Sequence, residues 1–209
     1  FCKKRFKVKN SKFRRFRYGM QVNSLGLTET QPENNVYRIL IQMLPVVIAK
    51  KSRARAVQLP AWNEALGLPR PWDQQWSLRL QQIMAYETDL LEFEDILVGS
   101  KVINNKVSKL KTSAYQELKN IDKLGGLVQA IERGYMKSKL VESQTIRQKS
   151  IENGDQKVVG VNCFSEGEKS PLVQENDGGF MKVDEKSESK QITNVKRWKE
   201  EDRKSTRLN

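Results

Sequence analysis

The chain is 209 residues long, with 38 Lys+Arg against 25 Asp+Glu, a formal net charge of +13, a hydrophobic fraction of 37% and a mean hydropathy of −0.68. It has no histidine, which excludes a Ser-His-Asp or Cys-His centre, a histidine proton shuttle and any histidine metal ligand within it. Cys2 and Cys163 are the only cysteines, too few for a disulfide framework or a four-cysteine zinc site.

The positive charge is concentrated at the ends. Phe1–Arg17 carries nine Lys/Arg and no acid, and Asp202–Asn209 is net +2, which leaves only +2 on residues 18–201. A basic arm can hold phosphate without specificity, but a nearly neutral body argues against a nucleic-acid docking face. The most apolar run, residues 36–49, is interrupted by Arg38 and Gln42 and is too short for the roughly 20 residues of a membrane span. No secretory signal pattern is present, so a cytoplasmic location is expected. Residues 202–209 resemble a translated sequencing-library adapter and read as a non-native tail.

In chain order, residues 1–14 form a basic N-terminal stretch. Residues 15–23 alternate, with Phe16, Tyr18, Met20 and Val22 on one face and Arg17, Gly19, Gln21 and Asn23 on the other, the period of a strand over 15–22. Residues 25–31 read as a loop. Pro32 opens a helix whose apolar stripe is Val36, Ile39, Leu40, Met43, Val46 and Val47, with Pro45 expected to kink or shorten it. A second strand spans 54–59, with Ala54, Ala56 and Gln58 sharing a face and Pro60 ending it. After Asn63 and the breaks at Pro69 and Pro71, Trp76, Leu80, Ile83, Met84 and Leu91 mark a second amphipathic helix. Residues 15–98 thus read as a βαβα unit with parallel strands.

Residues 99–164 read as a helical extension. It has a polar helix over 104–124, a Gly125-Gly126 break, helices over 127–131 and 140–151, a stop at Gly154 and a short strand over 158–161. Residues 165–190 have linker composition, and 192–201 suggests a last helix.

The polar, small-residue face of the two strands can be read in two ways. It could line a barrel that threads a long polar ligand, where an ordinary barrel interior is filled by branched apolar side chains. Alternatively, it is the solvent face of a small sheet. Ser24 follows the first strand, and Glu64 to Gly67 follow the second. Taken alone, Glu64 is a carboxylate favoured at a helix start. Gly125-Gly126 and Gly178-Gly179 lack the strand context of a phosphate cradle and read as turns. Trp62, Trp72 and Trp76 read as packing.

Several stretches resemble one family in order along the chain. They are Gln21-Val22-Asn23-Ser24-Leu25-Gly26-Leu27-Thr28-Glu29, Asn34-Asn35-Val36-Tyr37-Arg38 and Glu64-Ala65-Leu66-Gly67-Leu68-Pro69. Gly125-Gly126 and the Gly154 to Asn162 segment follow. Together they resemble the end of the substrate barrel of coenzyme-B12-dependent acyl-CoA mutases, the methylmalonyl-CoA mutase family. Residues 53–64 and 70–76 resemble its ethylmalonyl-CoA branch.

The resemblance implies that residues 15–98 are the last two β/α units of a (β/α)8 TIM barrel that holds acyl-CoA along its axis, followed by the helical extension. It implies an isomerase carrying out radical carbon-skeleton rearrangement, ethylmalonyl-CoA to methylsuccinyl-CoA in the leading version and methylmalonyl-CoA to succinyl-CoA in the alternative. The implied cofactor is adenosylcobalamin, whose axial His lies in a separate cobalamin-binding domain that this chain lacks. A homodimer is an assembly open to the intact protein.

Residue by residue, Ser24, Glu64 and Gly67 fall on the family's corrin contacts and Gln21 on a position near the CoA arm. Ser24 departs from the glycine of the methylmalonyl branch, and Gly19 stands where that branch has His. No catalytic residue and no metal ligand is carried over, so this part alone is expected to be inactive. A rival reading from the charge pattern is a binding module that docks on nucleic acid or an acidic partner through its basic arm.

Overall fold

The computed structural model describes residues 1–174, 178–182 and 184–206. Its elements are, in order, α1 (Cys2–Arg5), β1 (Met20–Gln21), α2 (Asn34–Ile48), β2 (Val57–Gln58), α3 (Pro71–Tyr86), α4 (Lys101–Lys123), α5 (Leu127–Glu132), α6 (Tyr135–Glu152) and α7 (Glu185–Thr206), with short 3-10 turns between some of them. The chain is mostly helical around one small parallel sheet, which is compatible with an α/β mutase domain.

β1 and β2 are parallel neighbours with Gln21 and Gln58 on one face, as the period-2 pattern and the intervening helix predict, and the register sets Met20 opposite Val57 and Gln21 opposite Gln58. Each is far shorter than the expected 15–22 and 54–59. The ladder runs only from the Arg55 N–H on the Tyr18 carbonyl, through Met20 N–H on Ala56, to Val22 N–H on Gln58. Upstream, Phe16 is 84% exposed and stacks on Tyr18 instead of facing a core. A strand needs a partner along its whole length, and residues 15–17 have no backbone partner in the sheet.

The core lies on one face of this pair. Val22, Leu27, Ile39, Met43, Leu59 and Met84 are buried together, with Leu40, Val47, Val57 and Leu80 packed against them. In α2 the buried residues are Asn35, Ile39 and Met43, one stripe at four-residue spacing. Pro45 does not stop α2 at once. It removes only its own N–H, and the helix closes one turn later, where Ala49 N–H reaches the Pro45 carbonyl.

α3 starts five residues before the expected Trp76. Pro71 presets φ at its first position, and the Asp73 carboxylate takes the Arg70 N–H that would otherwise be left unpaired. It ends at Tyr86, short of Leu91, with the Thr88 hydroxyl capping the Met84 carbonyl.

The helical extension follows the expected punctuation. α4 closes on Gly125-Gly126, where Gly126 N–H bonds Ile121 and Gly125 N–H bonds Asp122. α6 starts earlier than expected, at Tyr135, and stops at Gly154. No strand forms over 158–161. Gly160 takes φ +80°, and the Asn162 side chain accepts the Val158 N–H while donating to the Ile151 and Gln156 carbonyls. The side chain thereby claims backbone groups that a ladder would need.

Part of the expected linker packs on the body. Ser170 and Gly179 are buried, and Met181 N–H bonds the Leu68 carbonyl. α7 is longer than expected and includes 202–206; residues 207–209 of the expected tail lie outside the described residues. The basic stretch is tied down by a bidentate contact from Arg5 to Asp122 at 2.9 and 3.0 Å, which lowers the Asp122 pKa. No described helix is long and apolar enough to cross a membrane.

Candidate functional site

Because β1 and β2 are parallel and in register, the loops that follow them leave the sheet at the same edge. The first loop begins with Asn23, whose Oδ1 accepts the Leu25 N–H and so caps the turn Ser24–Gly26. Ser24 is half-buried there. The second loop runs through Pro60, Ala61, Trp62 and Asn63, all buried, to the exposed Glu64.

Glu64 lies in a tight turn and not at a helix start. The Leu66 and Gly67 N–H groups return to the Asn63 carbonyl at 2.9 and 3.3 Å, and α3 begins only at Pro71. Among the described residues no donor pairs with the Glu64 carboxylate.

Asn35 joins the two loops. Fully buried on α2, it donates from Nδ2 to the Thr28 and Trp62 carbonyls at 2.9 Å each. Its Oδ1 accepts from Thr28 N–H at 3.0 Å and from Arg38 Nη1 at 2.8 Å. Thr28 belongs to the first loop and Trp62 to the second, so one amide sets their spacing. Arg38 continues outward to the Val159 carbonyl, and Arg147 on α6 donates to the Leu25 carbonyl. The helical extension therefore holds the loop that carries Ser24. Burial pulls the Arg38 pKa below its ordinary value.

The second loop is fixed from α3. The Asp73 carboxylate is completely buried and accepts from Trp62 Nε1 (3.1 Å), Asn63 Nδ2 (2.7 Å), Arg70 N–H (2.7 Å), Arg70 Nε (3.1 Å) and Arg70 Nη2 (3.3 Å). Arg70 also lies over the Trp72 ring at 4.4 Å, within the Trp62, Trp72 and Trp76 cluster. Those tryptophans pack and anchor, as the sequence suggests. Asn35, Asn63 and Asp73 were not legible as site-forming residues, although an asparagine within an apolar helical stripe and an aspartate two residues after a helix-opening proline are usable signals.

Gly67 has φ +156°, and a Cβ there would come within 2.7 Å of Cδ2 of Phe180. The ring that needs a glycine at 67 is thus this chain's own Phe180; the Gly67 backbone is otherwise exposed. Gly67→Ala is expected to destabilise the 209-residue chain by about 1–3 kcal/mol, the usual range for overpacking. Urea unfolding should show a smaller loss in a Phe180→Ala background, and equal losses in the two backgrounds would count against the contact.

Gln21 is exposed on the sheet face opposite the core, beside Gln58. At the other end of the strands, before each one, Arg15, Arg17, Arg53 and Arg55 surround an open hollow of about 430 Å³ with Phe16. None of the four is paired with a carboxylate among the described residues. The Arg-Phe-Arg and Arg-Ala-Arg alternations that place them are visible in the sequence, but only the parallel register brings the two together. The candidate site therefore has two unlike ends, an unpaired carboxylate after the strands and unpaired guanidinium groups before them, with bare Gln21 and Gln58 between.

Residues 1–208 match the family model described as methylmalonyl-CoA mutase, and the chain belongs to that family. It is 58% identical over 198 residues to an ethylmalonyl-CoA mutase of Cereibacter sphaeroides, which covers 95% of this chain and 30% of that protein. It is 56% identical over 198 residues to an ethylmalonyl-CoA mutase of Methylorubrum extorquens, with 95% and 29% covered. To a methylmalonyl-CoA mutase of Escherichia coli it is 29% identical over 164 residues, with 78% and 22% covered. The chain spans about 30% of the length of the two ethylmalonyl-CoA mutases.

Proposed function

We propose that the chain is the distal part of the substrate barrel of an adenosylcobalamin-dependent acyl-CoA mutase whose whole protein converts ethylmalonyl-CoA to methylsuccinyl-CoA. The substrate reading is supported by two relatives above half identity that are ethylmalonyl-CoA mutases. Methylmalonyl-CoA is the alternative within the family. The observation that carries the reading is the parallel pair with its buried core on one face and Gln21 and Gln58 exposed on the other, between two chemically opposite ends. That arrangement suits two β/α units of a closed barrel whose polar face turns inward.

The residues present fit the cofactor on one edge. Corrin side-chain amides donate hydrogen bonds, and Glu64 offers an exposed carboxylate with no competing donor among the described residues. Ser24 offers a hydroxyl on the neighbouring loop, and Gly67 its exposed backbone. The chain has no His, so the axial ligand is not supplied from it. Adenosylcobalamin, when bound, supplies the radical chemistry of the skeleton rearrangement; this chain's residues bind, orient and exclude water. Gln21 would hydrogen-bond the acyl-CoA arm within the barrel.

The phosphates of acyl-CoA are strong acceptors for guanidinium groups, and the hollow among Arg15, Arg17, Arg53 and Arg55 lies at the end away from Glu64. Arg55→Ala in the whole protein is expected to raise the acyl-CoA KM by about threefold to tenfold, more at low salt than at high salt, with kcat little changed. A KM that does not respond to salt or to the substitution would remove the arginines from the substrate path.

Turnover decides the reading as a whole. The whole protein loaded with adenosylcobalamin should convert ethylmalonyl-CoA with a higher kcat/KM than methylmalonyl-CoA. The 209-residue chain alone should turn over neither, because two strands cannot close a barrel. Preference for methylmalonyl-CoA would favour the alternative substrate, and turnover by the chain alone would overturn the partial-barrel assignment.

A further inference from the structure

Glu64 is exposed and unpaired among the described residues, yet its neighbour Asn63 is completely buried and held from two sides. Asn63 Nδ2 donates to Asp73 Oδ2 at 2.7 Å and to the Gly179 carbonyl at 2.7 Å. The first acceptor is on α3, ten residues away, and the second is in the segment before α7, 116 residues away. With both N–H groups aimed at acceptors, the amide cannot flip, since the flip would turn Oδ1 toward a carboxylate. Oδ1 itself is buried without a partner.

The same distant segment touches the turn twice more. Met181 N–H bonds the Leu68 carbonyl at 2.8 Å, and the Phe180 ring fills the space over Gly67. The Asn63 carbonyl meanwhile receives the Leu66 and Gly67 N–H groups that close the turn on which Glu64 sits.

We propose that Asn63 is a positioning residue for Glu64, and that Gly179–Met181 acts as a strap that completes its seat. The mechanism is geometric. An exposed carboxylate in a turn samples many directions, and it can meet a rigid ligand with little loss of freedom only if its backbone is held. Asp73 fixes the Asn63 amide on one side and Gly179 on the other, so the turn has one orientation. The inference rests on the reading of Glu64 as the acceptor for the corrin and extends it to a residue that touches no ligand.

The test is a double-mutant cycle in the whole protein, read by cobalamin Kd and acyl-CoA KM, together with amide hydrogen exchange at Leu66 and Gly67. Asn63→Ala is expected to weaken cobalamin binding about tenfold, to leave acyl-CoA KM unchanged and to speed exchange at both amides. In a Glu64→Ala background it should add little further weakening, because it acts through Glu64.

Additive losses would mean that Asn63 acts independently, and the proposal would fall. Loss of affinity with Glu64→Ala but not with Asn63→Ala would sink the positioning role and leave the cofactor reading standing. No effect of Glu64→Ala would remove the cofactor reading, and the positioning role with it. Should Asn63→Ala not fold, Phe180→Ala keeps both amide bonds and loosens only the strap. It should weaken cobalamin about threefold in the wild-type background and not in Glu64→Ala, and failure of that dependence overturns the proposal equally.

Discussion

Asp73→Ala is expected to destabilise the 209-residue chain by about 3–5 kcal/mol, the range for removing one partner of a buried ion pair. Five hydrogen bonds converge on this carboxylate, and the Asp73 side chain has no exposed surface while that of Arg70 is only 10% exposed. Truncation would remove the Arg70–Asp73 ion pair and the acceptor of the Trp62 and Asn63 donors. Against a typical total of about 5–15 kcal/mol, this is enough to bring the chain near unfolding at ordinary temperatures. Denaturant unfolding gives the measurement. The double variant Arg70→Met with Asp73→Ala should lose less than the sum of the two single losses, because either change alone already removes the ion pair. Additive losses would mean that the donors of Trp62 and Asn63 carry the cost and the ion pair does not. Asp73→Asn should help little, since its NH2 group would sit where donors already converge.

Glu64→Ala in the whole protein is expected to weaken cobalamin binding by about tenfold to 150-fold and to leave acyl-CoA binding nearly unchanged. The figure is that of one charge-assisted hydrogen bond, about 1.5–3 kcal/mol. Glu64 is exposed, so truncation removes no core contact and the loss should not be accompanied by unfolding. Gln21→Ala should do the reverse, with a loss of about 0.5–1.5 kcal/mol in acyl-CoA binding for one neutral hydrogen bond. Gln21 lies within the ladder on the bare sheet face, away from the loop that holds Glu64. Separate titrations with cobalamin and acyl-CoA distinguish the two. Unchanged cobalamin affinity in Glu64→Ala would reduce Glu64 to a solvent carboxylate of the turn.

Local signals in the sequence translate well into local structure here. Gly125-Gly126 ends α4 and Gly154 ends α6, because a glycine accepts the positive φ of a helix C-terminus without steric cost. The apolar stripe of α2 and Val22 at the end of the first alternation place the core face, while Met20, expected on the same face, is exposed at the edge of the short ladder. Boundaries read less well. Pro71 looks like a breaker and is a helix opener, because the carboxylate that caps it, Asp73, is recognised only once the backbone turns. Val158 to Val161 looks like a buried strand, but the Asn162 side chain and Gly160 fold it into a turn.

The sequence by itself determined the family, the βαβα order, the parallel strands with Gln21 and Gln58 on one face, and the loops that carry Ser24, Glu64 and Gly67. These depend on period, punctuation and contiguous motifs, all of which are local in the chain. Only the tertiary structure decided what holds those loops: Asn35 between Thr28 and Trp62, Asp73 under Asn63, and Gly179 with Phe180 closing over the turn from 116 residues away. A buried amide or carboxylate is committed by the partners that the fold brings to it. Those partners lie far apart along the chain, and the sequence pattern around each carries no mark of the others.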